Sequence, residues 1–381
     1  MKLRMLQRFS IVTVLVLAGA CACGGGKTPP DEPVKPPPCM PVVEQQKIRI
    51  QSFLKQGVIP IIDVESTLTE ERFNDDYPAA LQLMDDLGIA QIAFEGHQAP
   101  QQDPPLSGYR WSYHVNELNR QYPAYLFLTG NGGNSNNWAK QKDDANSYIV
   151  QLENEMNRCE YRLMGELEFR HYMSSAQCRD NRTDRDVTVA IDSANGHRVF
   201  KLSHDSGIPF VIHYEPEDDL IAALETMLNA YPRAKVIWAH FGQLRKPPLM
   251  SRFGPALVEQ LLTDHPNLYF ELSTGEPNRQ YYCASGSYDP DNGILDTVIW
   301  QDNGSGGQLD TLKSEYLDVI EKFSDRFVSG ADYGGNRPPF VVHFGQRVDN
   351  LKLIMRDLSE TARHNISYRN AWFLLTGRHW R

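Results

Sequence analysis

The chain is sparing with basic residues. Lys and Arg number 38 against 48 Asp and Glu, a formal charge of −10, and they form no block, which argues against a nucleic-acid partner. Cysteine is scarce too: six in 381 residues, none at metal-binding spacing, so no cysteine-based metal centre is expected. No Gly-rich phosphate turn follows an early apolar run, which removes the usual mark of a doubly wound nucleotide-binding sheet. Beyond residue 46 there is no second Pro/Gly-rich linker and no break in composition, so a single large domain is expected. The apolar run at residues 11–20 is too short to span a bilayer.

That run is informative in another way. Lys2, Arg4 and Arg8 precede it, and Ala18-Gly19-Ala20 ends it just before Cys21, the pattern of an export signal. Small residues directly ahead of a cysteine resemble a bacterial lipobox, which implies a lipid on Cys21, or else on Cys23; an ordinary cleaved signal is the alternative. The expected organisation is a signal at residues 1–20, a tether at 21–45 containing Gly24-Gly25-Gly26 and Pro36-Pro37-Pro38, and a folded domain at 46–381. The expected location is the cell envelope, lipid-anchored, on the outer membrane and facing the periplasm, with the membrane as partner through an anchor rather than a span. In such an oxidising compartment Cys159 and Cys178, which flank one strand and its loop, are expected either to pair or to stay as buried thiols.

From residue 58 onward, short apolar runs alternate with amphipathic stretches of helical length. Leu220, Leu224, Met227, Leu228 and Tyr231 show the helical stripe most clearly. Strands are expected at 58–63, 90–95, 124–129, 162–169, 208–213, 235–240, 267–272 and 326–331, and eight of them in this alternation predict an α/β fold, a single (β/α)₈ barrel of the TIM type. Period-two reading then assigns faces. Met164, Glu166, Glu168 and Arg170 share one side of strand four, and the same parity aligns Ile61, Asp63, Glu65 and Thr67 in strand one. Val211 pairs with His213, Val236 and Trp238 with His240, and Val328 and Gly330 with Asp332; Glu95 with His97 and Glu271 with Ser273 extend the set. These polar residues close apolar runs at the C-terminal mouth, where barrels of this type keep their chemistry.

In order along the chain, Ile62-Asp63, Gly165-Glu166-Leu167-Glu168, Val211-Ile212-His213, Trp238-Ala239-His240-Phe241-Gly242, Gly330-Ala331-Asp332 and Asn370-Ala371-Trp372-Phe373-Leu374-Leu375 resemble the amidohydrolase superfamily. The resemblance is to its amidohydrolase-related branch and covers roughly residues 58–376. Members carry two histidines on strand one, a strand-four Lys or Glu, histidines on strands five and six, and an Asp on strand eight. Here Glu65 and Thr67 stand where the strand-one pair belongs. The resemblance therefore implies at most one divalent metal, zinc or manganese, on Glu168, His213 and His240. Glu166 competes for the strand-four role and Glu65 adds an oxygen. Asp332 would be the catalytic base beside His240.

Two imidazoles and a carboxylate make a normal zinc shell with one position left for water. Arg170, Glu166 and Asp63 are candidates to bind a small-molecule substrate, of the ester, lactone or amide class. A metal-independent lactonase and a non-catalytic ligand-binding barrel are the alternatives. Arg245-Lys246 after strand six could hold an anion, whereas Arg179, Arg182 and Arg185 read as solvated charges paired with Asp180, Asp184 and Asp186. Residues 274–312 exceed an ordinary βα loop and carry Tyr281, Tyr282, Tyr288 and Trp300. They read either as a lid or rim of the mouth, or as an ordered excursion pinned by Cys283.

Overall fold

The structure is a computed structural model that describes residues 42–68, 77–96, 120–139, 147–158, 161–301, 311–334 and 340–381. The signal and Cys21, the tether up to residue 41, and Cys39, His97 and Cys159 lie outside the described residues. No described helix is long and apolar enough to cross a membrane.

The strands form a closed ring of parallel neighbours. β1 (Ile61–Leu68) pairs with β2 (Ile89–Gly96), and β3 (Met164–His171) is followed round the ring by β5 (Phe210–Tyr214), β6 (Val236–Trp238), β7 (Leu268–Glu271) and β10 (Phe327–Val328). Two junctions complete the circle. Between β2 and β3 the expected strand at 124–129 is reduced to bridges, Leu126 to Ile92 and Thr129 to Leu163. Between β10 and β1, Val64 N–H donates to Ser329 O at 3.0 Å, Asp332 N–H to Glu65 O at 2.8 Å and Thr67 N–H to Tyr333 O at 2.8 Å. The expected barrel is thus present. A short antiparallel strand, β4 (Val187–Thr188), extends the edge of β3 at Arg170 and His171.

Two apolar layers hold the ring. Ile62, Val64, Phe127, Leu163, Val211, Ile237, Tyr269 and Val328 fill the interior, while Ile61, Ile92, Met164, Leu167, Phe169, Phe210, Ile212, Val236, Trp238, Leu268, Phe270 and Phe327 pack outward beneath the helices. This corrects the parity read from sequence in three strands. Ile61, Met164, Val236 and Trp238 face the helices, although Glu65, Glu166 and His240, an even number of residues further on, reach the mouth. Register irregularities between Asp63 and Ser66 and between Met164 and Glu166 shift the side-chain face in the first two cases. At the end of β6 the left-handed backbone of His240, φ 59°, does so.

The floor of the barrel is closed by α1 (Val42–Lys55), whose Val43, Ile50 and Phe53 join the interior layer. Gln46 donates to Leu126 O at 2.7 Å and Arg49 to Ala90 O at 2.8 Å, so the helix is stitched to the start of the sheet. Trp372 and Leu375 of a helix near the C-terminus, Asn370–Thr376, pack into the same layer.

At the other end, the excursion after β7 carries the hairpin β8 (Gln280–Tyr281) with β9 (Ile294–Leu295). Cys283 is disulfide-bonded to Cys178, so Cys178 neither pairs with Cys159 nor stays a buried thiol, the two expectations for it: the bond joins the loops after β3 and β7. Tyr281 O–H donates to Met173 O at 2.9 Å and Trp300 N–H to Gly275 O at 3.1 Å, so the excursion's described residues, 274–301, fold as a rim pinned by that disulfide, while 302–310 lie outside the described residues.

Candidate active site

Glu166 rises from β3 into the mouth between two histidines. Its Oε1 lies 2.8 Å from His213 Nδ1 and 3.1 Å from His240 Nε2, and the two rings meet edge to face with centroids 4.7 Å apart. The remaining ring nitrogens are also engaged: His213 Nε2 faces Glu215 Oε1 at 3.4 Å and His240 Nδ1 faces Ser273 Oγ at 2.9 Å. Both histidines are buried, and each is held by a polar group on either side of its ring. Arg245 anchors Glu215 at 3.1 Å and itself donates to Tyr172 O at 2.6 Å. A small pocket opens here, lined by His213, Glu215, His240 and Gln243 among others.

These contacts set the charges. Burial alone would raise Glu166, but the hydrogen bonds from His213 and His240 prevail and hold it well below the usual carboxylate range. Burial would lower His213, yet Glu166 and Glu215 push it up to about 9. Burial, together with the negative charges of Glu271 and Glu166, raises Glu65 well above the ordinary range.

Glu65 completes the opposite side. Its Oε1 is 3.6 Å from His240 Nε2, is buried and has no hydrogen-bond partner. Two donor sets therefore share His240: Glu166 with His213 and His240, and Glu65 with His240 and Asp332, each with its ligand atoms within 4.8 Å of one another. The chemistry of the donors fits a cation. Two imidazoles oriented by further acceptors, a low-lying carboxylate and an orphaned buried carboxylate oxygen are what a zinc or manganese shell uses. Asp332, half-buried at the end of the eighth strand, takes φ 45° and is held by Arg347 at 3.2 Å.

The other residues singled out from sequence lie elsewhere in the network. Glu168, placed on the metal by resemblance, keeps the inward face of β3 between the outward Leu167 and Phe169, but there it forms a buried ion pair with Arg185 and lies 4.0 Å from His171 Nε2 instead of joining either donor set. Arg170 is committed to Glu217 at 2.5 Å and Asp186 at 2.7 Å, and Asp63 accepts from Glu65 N at 3.0 Å, Ala331 N at 2.9 Å and Ser66 Oγ at 2.6 Å. Asp63 thus ties β1 to the end of the eighth strand beneath the mouth. Arg179 and Arg182 pair with Asp180 and Asp184 as exposed charges, as expected, but Arg185 turns inward. Sequence reasoning missed Arg185, and also Glu215, which follows His213 by two residues and so shares its face.

No protein-family model matches the chain, nor does any curated protein sequence. Among solved structures it is similar to a 2,6-dihydroxybenzoate decarboxylase complexed with 2,6-dihydroxybenzoate, at 13% identity over 83% of this chain and 99% of that one, with a TM-score of 0.48. It is also similar to a 4-oxalomesaconate hydratase from Rhodopseudomonas palustris, at 12% identity over 83% of this chain and 95% of that one, TM-score 0.49. A third is an amidohydrolase from Burkholderia multivorans, at 10% identity over 84% of this chain and 99% of that one, TM-score 0.43. At these identities the likeness says nothing of substrate.

Proposed function

We propose that the protein is a small-molecule hydrolase of the amidohydrolase type, with one divalent metal, zinc or manganese, held by Glu166, His213 and His240. The observation that carries the reading is the convergence of those three ligand atoms within 4.8 Å, with the second nitrogen of each ring already oriented by Glu215 or Ser273. When bound, the metal supplies an acidified water and polarises the substrate's carbonyl or phosphoryl oxygen. Asp332 takes the proton of the attacking water on its carboxylate and returns it to the leaving group, while Arg347 keeps that carboxylate in place. Glu65 contributes its unpartnered Oε1 as a further oxygen donor. The ester, lactone and amide classes are the substrates to screen first.

A metal-independent reading is favoured by one observation: Glu166 satisfies both imidazoles by itself, so a charged His213 with Asp332 is a workable acid–base pair on an activated ester. Metal content by mass spectrometry, on protein purified without chelator or nickel, tests both. Near one equivalent of zinc or manganese, lost in His213→Ala, supports the hydrolase with metal; turnover that survives exhaustive chelation supports the second reading. Export and lipidation at Cys21 belong to the same proposal, on sequence grounds, and Cys21→Ser should release the protein from the membrane fraction.

A further inference from the structure

The residues that stand behind His240 form a chain of their own. Glu271 is completely buried at the end of β7 and sits against Gly330, where a Cβ would come within 2.2 Å of its Oε1. Its carboxylate accepts from the backbone N–H and the hydroxyl of Ser273, and from His240 N–H at 3.1 Å. Ser273 Oγ lies 2.9 Å from His240 Nδ1, whereas Glu271 Oε2 is 3.9 Å from that nitrogen, so the hydroxyl stands between ring and carboxylate. On the other side of the ring, Nε2 faces only acceptors, Glu166 at 3.1 Å and Glu65 at 3.6 Å.

We infer that Ser273, backed by Glu271, is a positioning residue that keeps hydrogen on Nδ1 of His240, so that Nε2, which donates to Glu166 in the metal-free protein, is the nitrogen that gives up its hydrogen to a metal between Glu166 and Glu65. The inference rests on the metal reading above. A buried Ser hydroxyl has one hydrogen to give. Two carboxylates compete for it, Glu271 in close contact and Glu65 Oε2 at 3.3 Å, and either takes it in preference to a ring nitrogen. The hydroxyl oxygen is then left to accept from Nδ1–H, which orients Nε2 to ligate. The Glu271 carboxylate also holds His240 N–H and with it the left-handed backbone of that residue.

The test is zinc titration of the full chain, wild type against Ser273→Ala and Ser273→Thr, with circular dichroism to confirm folding. Ser273→Ala should weaken zinc by about 10–100-fold, and Ser273→Thr, which restores the hydroxyl, should recover most of the loss. Wild-type affinity in Ser273→Ala overturns the assignment alone; a wild-type protein that binds no zinc overturns the metal reading and the assignment with it. Should Ser273→Ala fail to fold, nitrogen-15 shifts of the His240 ring in zinc-loaded wild type decide: hydrogen on Nδ1 and metal on Nε2 supports the role, and the reverse overturns it.

Discussion

His240 and Asp332 share a backbone conformation that few residues other than glycine adopt: φ is 59° at one and 45° at the other, and each stands just past the end of a barrel strand. The strain is offset by hydrogen bonds to those backbone N–H groups, from His240 to the Glu271 carboxylate and from Asp332 to Glu65 O of β1. Because Asn tolerates this region and Ala does not, Asp332→Asn should leave unfolding close to wild type, whereas Asp332→Ala should lose about 1–2 kcal/mol. Both should lose turnover. Equal stabilities in chemical denaturation would show that the conformation carries no strain.

Glu166 and Glu168 sit two residues apart and should fail in different ways. Glu166→Gln replaces the carboxylate between the two histidines with a neutral amide and should abolish metal binding with the fold intact. Glu168→Ala leaves Arg185 buried without its partner, which typically costs about 3–5 kcal/mol, and should show mainly as a lower melting temperature. An unstable Glu166→Gln beside a stable Glu168→Ala would reverse the two roles.

The acidity of His213 makes metal affinity depend on pH. Its folded value is raised from 6.5 to about 9, so in the metal-free protein its pairing with Glu166 contributes stability fully below 6.5, and that contribution is lost as pH rises through about 9. A cation at this site has to displace the same proton. Zinc affinity should climb by about tenfold per pH unit over that window and level off above it. A flat profile would show that His213 is not a ligand.

Removing the rim's covalent tie should matter more for stability than for the metal. The Cys178–Cys283 bond spans 105 residues, and breaking it by Cys178→Ser should cost about 2–5 kcal/mol. Limited proteolysis should then cut within the excursion around β8 and β9, and zinc binding should persist. Protease resistance equal to wild type would mean that Tyr281 and Trp300 hold the rim unaided.

Gly330→Ala places a methyl group where the Glu271 carboxylate lies, so either that carboxylate or the eighth strand has to shift. Overpacking of this kind costs about 1–3 kcal/mol, and zinc affinity should fall along with stability because Glu271 also holds His240. A variant less stable than wild type but with full zinc affinity would separate Glu271 from the site.

The barrel was legible because its evidence is repeated: apolar runs at Ile61, Ile89, Met164, Phe210, Val236, Leu268 and Phe327 alternate with helical stripes, and no single misreading disturbs the pattern. The strand at 124–129 was read too long, since a run that makes only bridges has the same composition as one that makes a ladder. His213, His240 and Asp332 were found by their place at strand ends. What parity could not show was how the mouth residues reach their side of the sheet, because a bulge or a left-handed residue breaks the alternation just where the chemistry begins. Arg185 escaped for a related reason. Nothing in a run of alternating Arg and Asp marks the one guanidinium whose carboxylate lies on a strand 17 residues away.

The helix ahead of the first strand has a practical meaning. Gln46 and Arg49 occupy carbonyl oxygens at the base of the sheet, and Val43, Ile50 and Phe53 cover its apolar underside. A fragment cut to begin at Ile61 would strip the Leu126 and Ala90 carbonyls of their Gln46 and Arg49 donors above an uncovered floor, and such a surface favours self-association. Expression designs and fusion partners are therefore best joined upstream of this helix, not between it and Ile61.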